Sequence, residues 1–571
     1  MTSKSSSETQ THLVGIKAQA IRVGHTRLIT VALIFTVCFV VLAGRLVELT
    51  VIREPGPPLT FATAALSKST AGRADILDRN GTLLATNLLT ASLYADARVV
   101  PNPVDTARRL MAVLPSLNTS AVQERLTTGR AFVWLKRNLT PGQQASVNDL
   151  GIPGLHFRNE QHRLYPHGVL ESHVLGFTDM DGNGIAGIEN YFDRVLRERG
   201  PEGQALQLSL DARVQHVLRD ELVAAMETFQ AVGAAGLVMD ANTGEILALT
   251  SLPDFDPNHP TAAPNLSRFN QATKGVYELG SVFKVLTVAM ALDSGATKIA
   301  GAYDATKPIR VAGFRIRDSH AKKRWLSVPE ILVYSSNIGA AKMALDVGRD
   351  VQRRYLGRFG LLDRPNLELP EVGSPIVPPN WGEARTMTAA FGYGLSVSPV
   401  QFVSAFAAMV NGGVLMRATL LKKIAGEREV GVQVISQRTS NQVRRLLRAV
   451  VEKGTGRRAR APGYLVGGKT GTAEKASKGG YRGRKLISSF VAAFPMTAPK
   501  YVVYLFLDEP QGNAETHGNA GAGWTAAPAV GRVVGRIAPI LGIQPVDDQA
   551  APVRRAMLMP LYTRKRKSAV N

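Results

Sequence analysis

Residues Gly463 to Lys475 read GYLVGGKTGTAEK, and the first eight match the spacing G-x-x-x-x-G-K-T of a loop that cradles phosphates. The same Lys469-Thr470-Gly471 also fits the third element of a serine acyl-transfer site. The two chemistries need different folds. A phosphate loop takes a buried strand before its glycines and a helix starting at the Lys-Thr, because the helix N-terminus supplies the anion-binding amides. Here RRARAP, ending at Pro462, comes before, and Gly471 and then SKGGYRG come after, so neither flank fits.

The acyl-transfer reading requires Ser-x-x-Lys and then Ser-x-Asn upstream, and both occur in that order. Ser281-Val282-Phe283-Lys284 opens an almost wholly apolar helical run, Val282 to Leu292, stopped by Gly295. Ser335-Ser336-Asn337 sits in LVYSSNIGAAKMAL between two helical patterns. Residues three apart on a helix share a face, so Lys284 can reach the Ser281 hydroxyl. An amine buried beside an apolar helix favours its neutral form, and a neutral lysine can take the proton that activates a hydroxyl nucleophile. At the first turn of its helix Ser281 also offers an unpaired backbone N–H to a developing oxyanion. A second Ser-x-x-Lys, Ser319 to Lys322, lies in the charged stretch IRDSHAKKR with no apolar helix to bury its amine, and reads as a chance match.

The chain has 571 residues, 45% of them hydrophobic, enough for more than one domain and unlike a disordered scaffold. A net charge of +23 favours anionic partners such as nucleic acid, acidic lipid headgroups or an acidic wall polymer, without choosing among them. The one cysteine, Cys38, excludes an intrachain disulfide and a Cys-based metal cluster, and no His/Glu spacing suggests a metal site. Leu28 to Gly44 is uncharged over seventeen residues and would rise about 25 Å as a helix, the short end of a bilayer span, with Leu46 and Val47 extending it as Arg45 snorkels. The segment ahead carries Lys4, Lys17, Arg22 and Arg27 against Glu8, which places the N-terminus in the cytoplasm and residues after about 48 outside, where ATP is scarce. A cleaved signal peptide is the alternative; the long leading stretch and the lack of a clear small-x-small cleavage site oppose it.

Beyond a Pro/Gly-rich linker, Arg53 to Pro58, the segment ILDRNGTLLA (Ile76 to Ala85) reads as strand, Asn-Gly turn, strand. A mixed region with amphipathic helices such as Asp105 to Leu114 and several short strands runs to about residue 205. Leu208 to Met226 has helical spacing, with Asp211 as N-cap. Two strand pairs, Ala235–Asp240 with Glu245–Thr250 and Ser488–Pro495 with Tyr501–Asp508, bracket a mainly helical middle, which predicts one antiparallel sheet flanked by a helical cluster. The stretch after Pro545, with Arg554, Arg555 and the RKRK of Arg564–Lys567, reads as a solvated flexible tail. Tyr393 and Trp381 read as core or groove wall, His173 and His320 as packing or loop residues, and Gly467 and Gly468 as close-packing positions around the third motif.

Around the three motifs the chain carries RADILDRNGTLLA (Arg73–Ala85), RLYPHGVLESHVLGF (Arg163–Phe177), GIAGIENYFD (Gly184–Asp193), VMDANTGEILAL (Val238–Leu249), FDPN (Phe255–Asn258), FGYGLSVSPVQ (Phe391–Gln401) and NGG (Asn411–Gly413). In this order they resemble the class B penicillin-binding proteins, membrane-anchored peptidoglycan D,D-transpeptidases, over most of residues 28–545. VEKGTGRRARAPGYLVGGKTGTAEK (Val451–Lys475) is similar to the septal, division-type branch in its approach to the third motif. Leu279-Gly280-Ser281-Val282 departs from the family's usual Pro-Gly-Ser-Thr only in residues flanking the nucleophile.

The resemblance implies an α+β protein with a cytoplasmic segment at 1–27, a single transmembrane helix at 28–47 and an extended mixed α/β pedestal of dimerisation type at 48–205. A transpeptidase domain of the serine β-lactamase-like fold, an antiparallel sheet with a helical cluster, would follow at 206–545, and a basic tail at 546–571. Ser281 would attack the carbonyl between the last two D-alanines of a stem peptide with Lys284 as base, and the N–H groups of Ser281 and Thr472 would hold the oxyanion. Ser335 would relay protons, Asn337 would hydrogen-bond the substrate amide and Lys469 would supply positive potential. Thr470 and Thr472, with Gly471 between them, would bind the terminal carboxylate. An amine from a neighbouring stem peptide would complete the cross-link, and β-lactams would leave Ser281 acylated.

No cofactor, metal or nucleic acid is implied. The implied partners are peptidoglycan stem peptides, the lipid-linked precursor polymer, a polytopic glycosyltransferase and other division proteins, at the cell inner membrane with the catalytic domain periplasmic. An elongation-type transpeptidase and a D,D-carboxypeptidase or β-lactamase are the alternatives that use the same motifs; a non-catalytic β-lactam sensor or division scaffold, which would share the first motif, is a rival of another class.

Overall fold

Tyr501–Asp508, YVVYLFLD, is apolar at nearly every position, the pattern of a strand covered on both faces. The computed structural model describes residues 27, 29–44, 72–201, 203–424, 430–475 and 485–561. The expected linker Arg53–Pro58, the ends of the expected membrane segment at 28 and 45–47, and the RKRK run lie outside those residues. The chain divides into two compact units, Met1–Thr70 and Ala71–Asn571. In the first, residues 29–44 form a helix, α1, with exposed apolar side chains from Ile29 to Leu42. Among the described residues no helix is long and apolar enough to cross a membrane.

The second unit opens with β1 (Ile76–Leu77) and β2 (Leu83–Ala95), the hairpin expected at Asn80-Gly81. Its second arm runs on to Ala95 because β2 is paired along both edges, antiparallel to β3 (Val133–Leu139) and to β4 (Leu155–Leu164). Leu93, Ala95, Leu135 and Leu139 form a local core with Leu110 of α2 (Pro103–Val113) and Val122 of α3 (Thr119–Leu126). β1 also pairs in parallel with β5 (Leu206–Gln207), which leads into α4 (Ala212–Thr228). Asp211 caps α4, accepting from the Arg213 N–H, and the helix starts later than Leu208 because Leu208, Ser209 and Asp211 donate instead to the carbonyls of Leu77, Leu420 and Leu247.

Arg73, Arg163 and Glu189 come from three separate sequence blocks and meet in a buried cluster. Arg73 and Arg163 donate to opposite oxygens of Glu189 at 2.8 and 2.7 Å, and Arg73 also reaches Asp193 at 2.5 Å. Hydrogen-bonded pairing of this kind is what lets charge sit in a protein interior.

The main sheet contains β6 (Gly233–Asp240), β7 (Ile246–Leu252), β8 (Gly467–Glu474), β9 (Leu486–Phe494) and β10 (Tyr501–Asp508), in the order β8-β9-β10-β6-β7 and antiparallel throughout. Along β10, Val503, Leu505 and Leu507 join a core with α4 and the C-terminal helix Ala526–Ile540, whereas Val502, Tyr504 and Phe506 join the core of the helical cluster. That cluster includes α5 (Lys284–Asp293), α6 (Val328–Val333), α7 (Asn337–Val347), α8 (Pro399–Val410) and α9 (Gln437–Lys453). The solvated tail expected from residue 546 is replaced, as far as Leu561, by packed structure. Residues Ala551–Met557 are helical, Met557, Met559 and Leu561 are buried in the main core, and the Ser327 hydroxyl donates to the Leu561 carbonyl at 3.0 Å. Met557, Met559 and Leu561 gain more by burial than Arg554 and Arg555, which stay exposed, can oppose.

Candidate active site

Gly280 to Phe283 make a single 3-10 turn, and α5 begins at Lys284, so Ser281 precedes the α-helix rather than lying in its first turn. In a 3-10 turn residues i and i+3 eclipse, and Lys284 Nζ stands 3.0 Å from Ser281 Oγ. Gly280 has φ +63, and a Cβ there would lie 2.9 Å from the Thr472 carbonyl. From the other side, a Cβ on Gly471 would lie 2.5 Å from Ser489 Oγ and 2.8 Å from the Leu279 carbonyl. Glycine at both positions lets β8, the edge strand of the sheet, lie directly against the serine turn.

Ser335 occupies the turn between α6 and α7 with φ +59, a left-handed conformation that costs a non-glycine residue about 1 kcal/mol. That conformation presents both its carbonyl and its hydroxyl to Lys284 Nζ, at 2.5 and 3.0 Å. The same hydroxyl is 3.0 Å from Lys469 Nζ, which also bonds the Thr470 carbonyl at 3.0 Å and the Thr470 hydroxyl at 3.1 Å.

Both lysines are fully buried. Burial pushes the Lys284 amine down to about 7, against the opposing pull of the Asp318 charge. Burial, and after it repulsion from Lys284, hold Lys469 well below the ordinary lysine range. Two amines sharing one hydroxyl in a dry site disfavour the doubly charged state. A neutral Lys284 beside the Ser281 hydroxyl is placed where it can accept a proton at neutral pH.

Asn337 is the first residue of α7, and its Nδ2 donates to the Arg317 carbonyl at 2.9 Å. The Thr470 hydroxyl meets that of Thr455 at 2.7 Å, and Thr472 Oγ1 accepts from the Ala522 N–H at 3.2 Å. Ser281, Ser335, Asn337, Thr470 and Thr472 line one open cleft of about 550 Å³, a volume suited to a small ligand or a short peptide end. Lys284, Lys469 and Gly471 are buried behind these residues.

Tyr393 stands on the cleft wall, its hydroxyl accepting from the Glu474 N–H at 3.0 Å, and Trp381 is core, its Nε1 donating to Gln352 Oε1 at 3.0 Å. His173 packs edge-on to Phe255, and burial pushes its ring down to about 4. His320, expected in a loop, lies on the cleft rim with Ser319 and Lys322. Lys322 is exposed, 4.6 Å over the Tyr334 ring, so the second Ser-x-x-Lys has no buried amine.

Sequence reasoning passes over Asp318, which accepts from Ser336 Oγ at 2.7 Å and from the Ile338 N–H at 3.0 Å and so pins the start of α7. Its partners are 18 and 20 residues away, and no local pattern marks it. Thr455 was equally unmarked, since only the fold brings it to Thr470.

Comparison with known proteins bears on this geometry. The family described as penicillin binding protein transpeptidase domain matches residues 234–531, and the penicillin-binding protein dimerisation domain matches residues 68–207. The chain is 40% identical over 483 residues to the probable peptidoglycan D,D-transpeptidase FtsI of Caulobacter vibrioides, covering 83% of this chain and 82% of that one. It is 29% identical to the peptidoglycan D,D-transpeptidase FtsI of Escherichia coli over 83% of this chain and 84% of that one. The transpeptidase domain of Burkholderia pseudomallei penicillin-binding protein 3 matches with a TM-score of 0.54 at 32% identity, covering 59% of this chain and 97% of that one. A crystal structure of Mycobacterium tuberculosis penicillin-binding protein 3, complexed with aztreonam, shares the fold with a TM-score of 0.66 at 23% identity, covering 84% of this chain and 98% of that one.

Proposed function

The chain belongs to the penicillin-binding protein transpeptidases, and on that premise we propose that it cross-links peptidoglycan stem peptides during septal wall synthesis through an acyl-enzyme on Ser281. The observation that carries this reading is a continuous set of contacts: Lys284 Nζ lies 3.0 Å from both the Ser281 and Ser335 hydroxyls, and Lys469 Nζ lies 3.0 Å from the latter. This arrangement can move a proton away from the nucleophile and return it on the far side of the scissile bond.

In the forward direction Lys284 takes the Ser281 proton as Oγ attacks the penultimate D-alanine carbonyl. The oxyanion that forms is held by the N–H groups of Ser281 and Thr472, the second of them on the edge strand β8. The C–N bond then breaks, the leaving D-alanine nitrogen takes the proton by way of Ser335, and the ester on Ser281 remains. An amine from a second stem peptide attacks that ester, gives its proton to Lys284, and Ser281 leaves reprotonated. Lys469, Thr470 and Thr472 hold the terminal carboxylate of the donor, Asn337 holds its amide, and Gly471 gives the strand its close approach. β-Lactams follow the first half of this course and stop at the ester.

The septal assignment is supported by the FtsI relatives. Anchoring at the inner membrane is supported by the exposed apolar side chains of α1, with the N-terminus in the cytoplasm and the catalytic domain in the periplasm. Residues 48–205 serve as pedestal and 206–545 as catalytic domain, and a polytopic glycosyltransferase of the division machinery supplies the glycan strands. Incubation with a D-Ala-D-Ala-terminated stem peptide and an amine acceptor tests the proposal. Release of D-alanine with formation of the amine-linked product, both lost in Ser281→Ala, is expected; release to water alone at high acceptor concentration would make the enzyme a carboxypeptidase.

A further inference from the structure

Next to the threonines assigned to the terminal carboxylate, the cleft wall carries a cation that the reaction above leaves unused. Arg458, in the short turn Arg457–Ala459, lays its guanidinium carbon 3.3 Å from the centre of the Trp524 ring. His517 packs edge-on to the same indole, with ring centres 5.9 Å apart, so Trp524 is held by neighbours of its own. This wall is tied into the active site at three points. Ala522 N–H donates to Thr472 Oγ1 at 3.2 Å, the Thr455 and Thr470 hydroxyls meet at 2.7 Å, and Gly523 approaches the Thr455 carbonyl so closely that a Cβ would lie 2.9 Å from it.

The charged side chains lining the cleft, Lys322, Lys453, Arg457 and Arg458, are cationic, and among the described residues none of the lining groups is a carboxylate. A guanidinium stacked on an indole keeps its N–H donors, which lie in the plane of the group, available at its edge. Stacking also fixes that plane in advance, so less freedom is lost when a carboxylate docks on it in bidentate fashion.

We propose that Arg458, held by Trp524, forms a second carboxylate subsite, which selects stem peptides bearing a further free carboxylate over those in which that group is amidated. The proposal rests on the transpeptidase reading given above. A donor with its terminal carboxylate on Thr470 and Thr472 gains a second anionic anchor a short distance along the cleft, and the two together set the register of the peptide against Ser281.

The test uses the full chain and two penicillins identical except that one carries a side-chain carboxylate and the other its carboxamide. The measurement is the ratio of their second-order acylation rates at Ser281, a ratio that partial misfolding of a variant does not move. Wild type should prefer the carboxylate by about tenfold, the worth of one charge-assisted contact. Arg458→Gln should bring the ratio close to one, while Arg457→Gln, which removes the same charge from the adjacent residue, should change it less than about twofold. No preference in wild type, a preference retained in Arg458→Gln, or an equal loss in Arg457→Gln would each overturn the subsite, the last by assigning the effect to diffuse cleft charge. Failure of the transpeptidase reading would look different, because neither penicillin would acylate Ser281.

Discussion

Lys284 has its amine pushed down to about 7 by burial, so the fraction able to accept a proton changes steeply around neutral pH. Below that value the amine is protonated and cannot take the Ser281 proton; above it the base is available. β-Lactam acylation should therefore rise about tenfold per pH unit on the acid side and level off above neutrality, as stopped-flow or gel-based labelling across pH 5 to 9 would show. Asp318 opposes the shift, so Asp318→Asn should move the plateau to lower pH; movement to higher pH would contradict the assigned cause. Ser335→Ala removes the hydroxyl shared by both amines and should slow acylation by about 10² to 10⁴-fold while leaving the thermal unfolding midpoint nearly unchanged. At this scale SVFK, SSN and KTG were legible because each is a local pattern. The left-handed Ser335 and the remote Asp318 were not, since both depend on contacts made only after helices α6 and α7 have packed.

The elements owe their placement to a few close approaches and one buried cluster. Gly471→Ala would put a methyl group against Ser489 Oγ and the Leu279 carbonyl, forcing β8 away from the serine turn. A displacement approaching 1 Å should reduce acylation by about 10²-fold, read as a loss of penicillin labelling in protein that still melts cooperatively. Glu189→Gln leaves Arg163 buried without a counter-charge and Arg73 with Asp193 alone, and should lower stability by about 3 to 5 kcal/mol in denaturant titration. The sequence blocks around Arg73, Arg163 and Glu189 carry no catalytic signature, and the ion cluster gives them a structural reason. Strands were legible where an apolar run or an Asn-Gly turn marked them. The length of β2 was not, because it reflects pairing with two strands that follow much later in the chain.

For the whole molecule, residues 71–571 form one compact unit, with the Ser281 cleft inside it, while the apolar helix at 29–44 belongs to the other. A chain beginning at residue 72 should therefore fractionate as soluble protein and acylate with β-lactams within about twofold of the full-length rate, because the cleft-lining residues, Ser281 to Trp524, all lie in the second unit. The packed segment through Leu561 was not legible, because the basic residues Arg554, Arg555 and Arg564–Lys567 mark the whole stretch as solvated while three apolar side chains decide its position. Acylation of Ser281 can be read directly. Trypsin cuts after Lys274 and Lys284 to release GVYELGSVFK, in which Ser281 is the only serine. Mass spectrometry of this peptide after treatment with benzylpenicillin should show the penicilloyl adduct on Ser281 and none in Ser281→Ala. An adduct on Ser319 or Ser335, or undiminished labelling of the variant, would place the nucleophile elsewhere than Ser281.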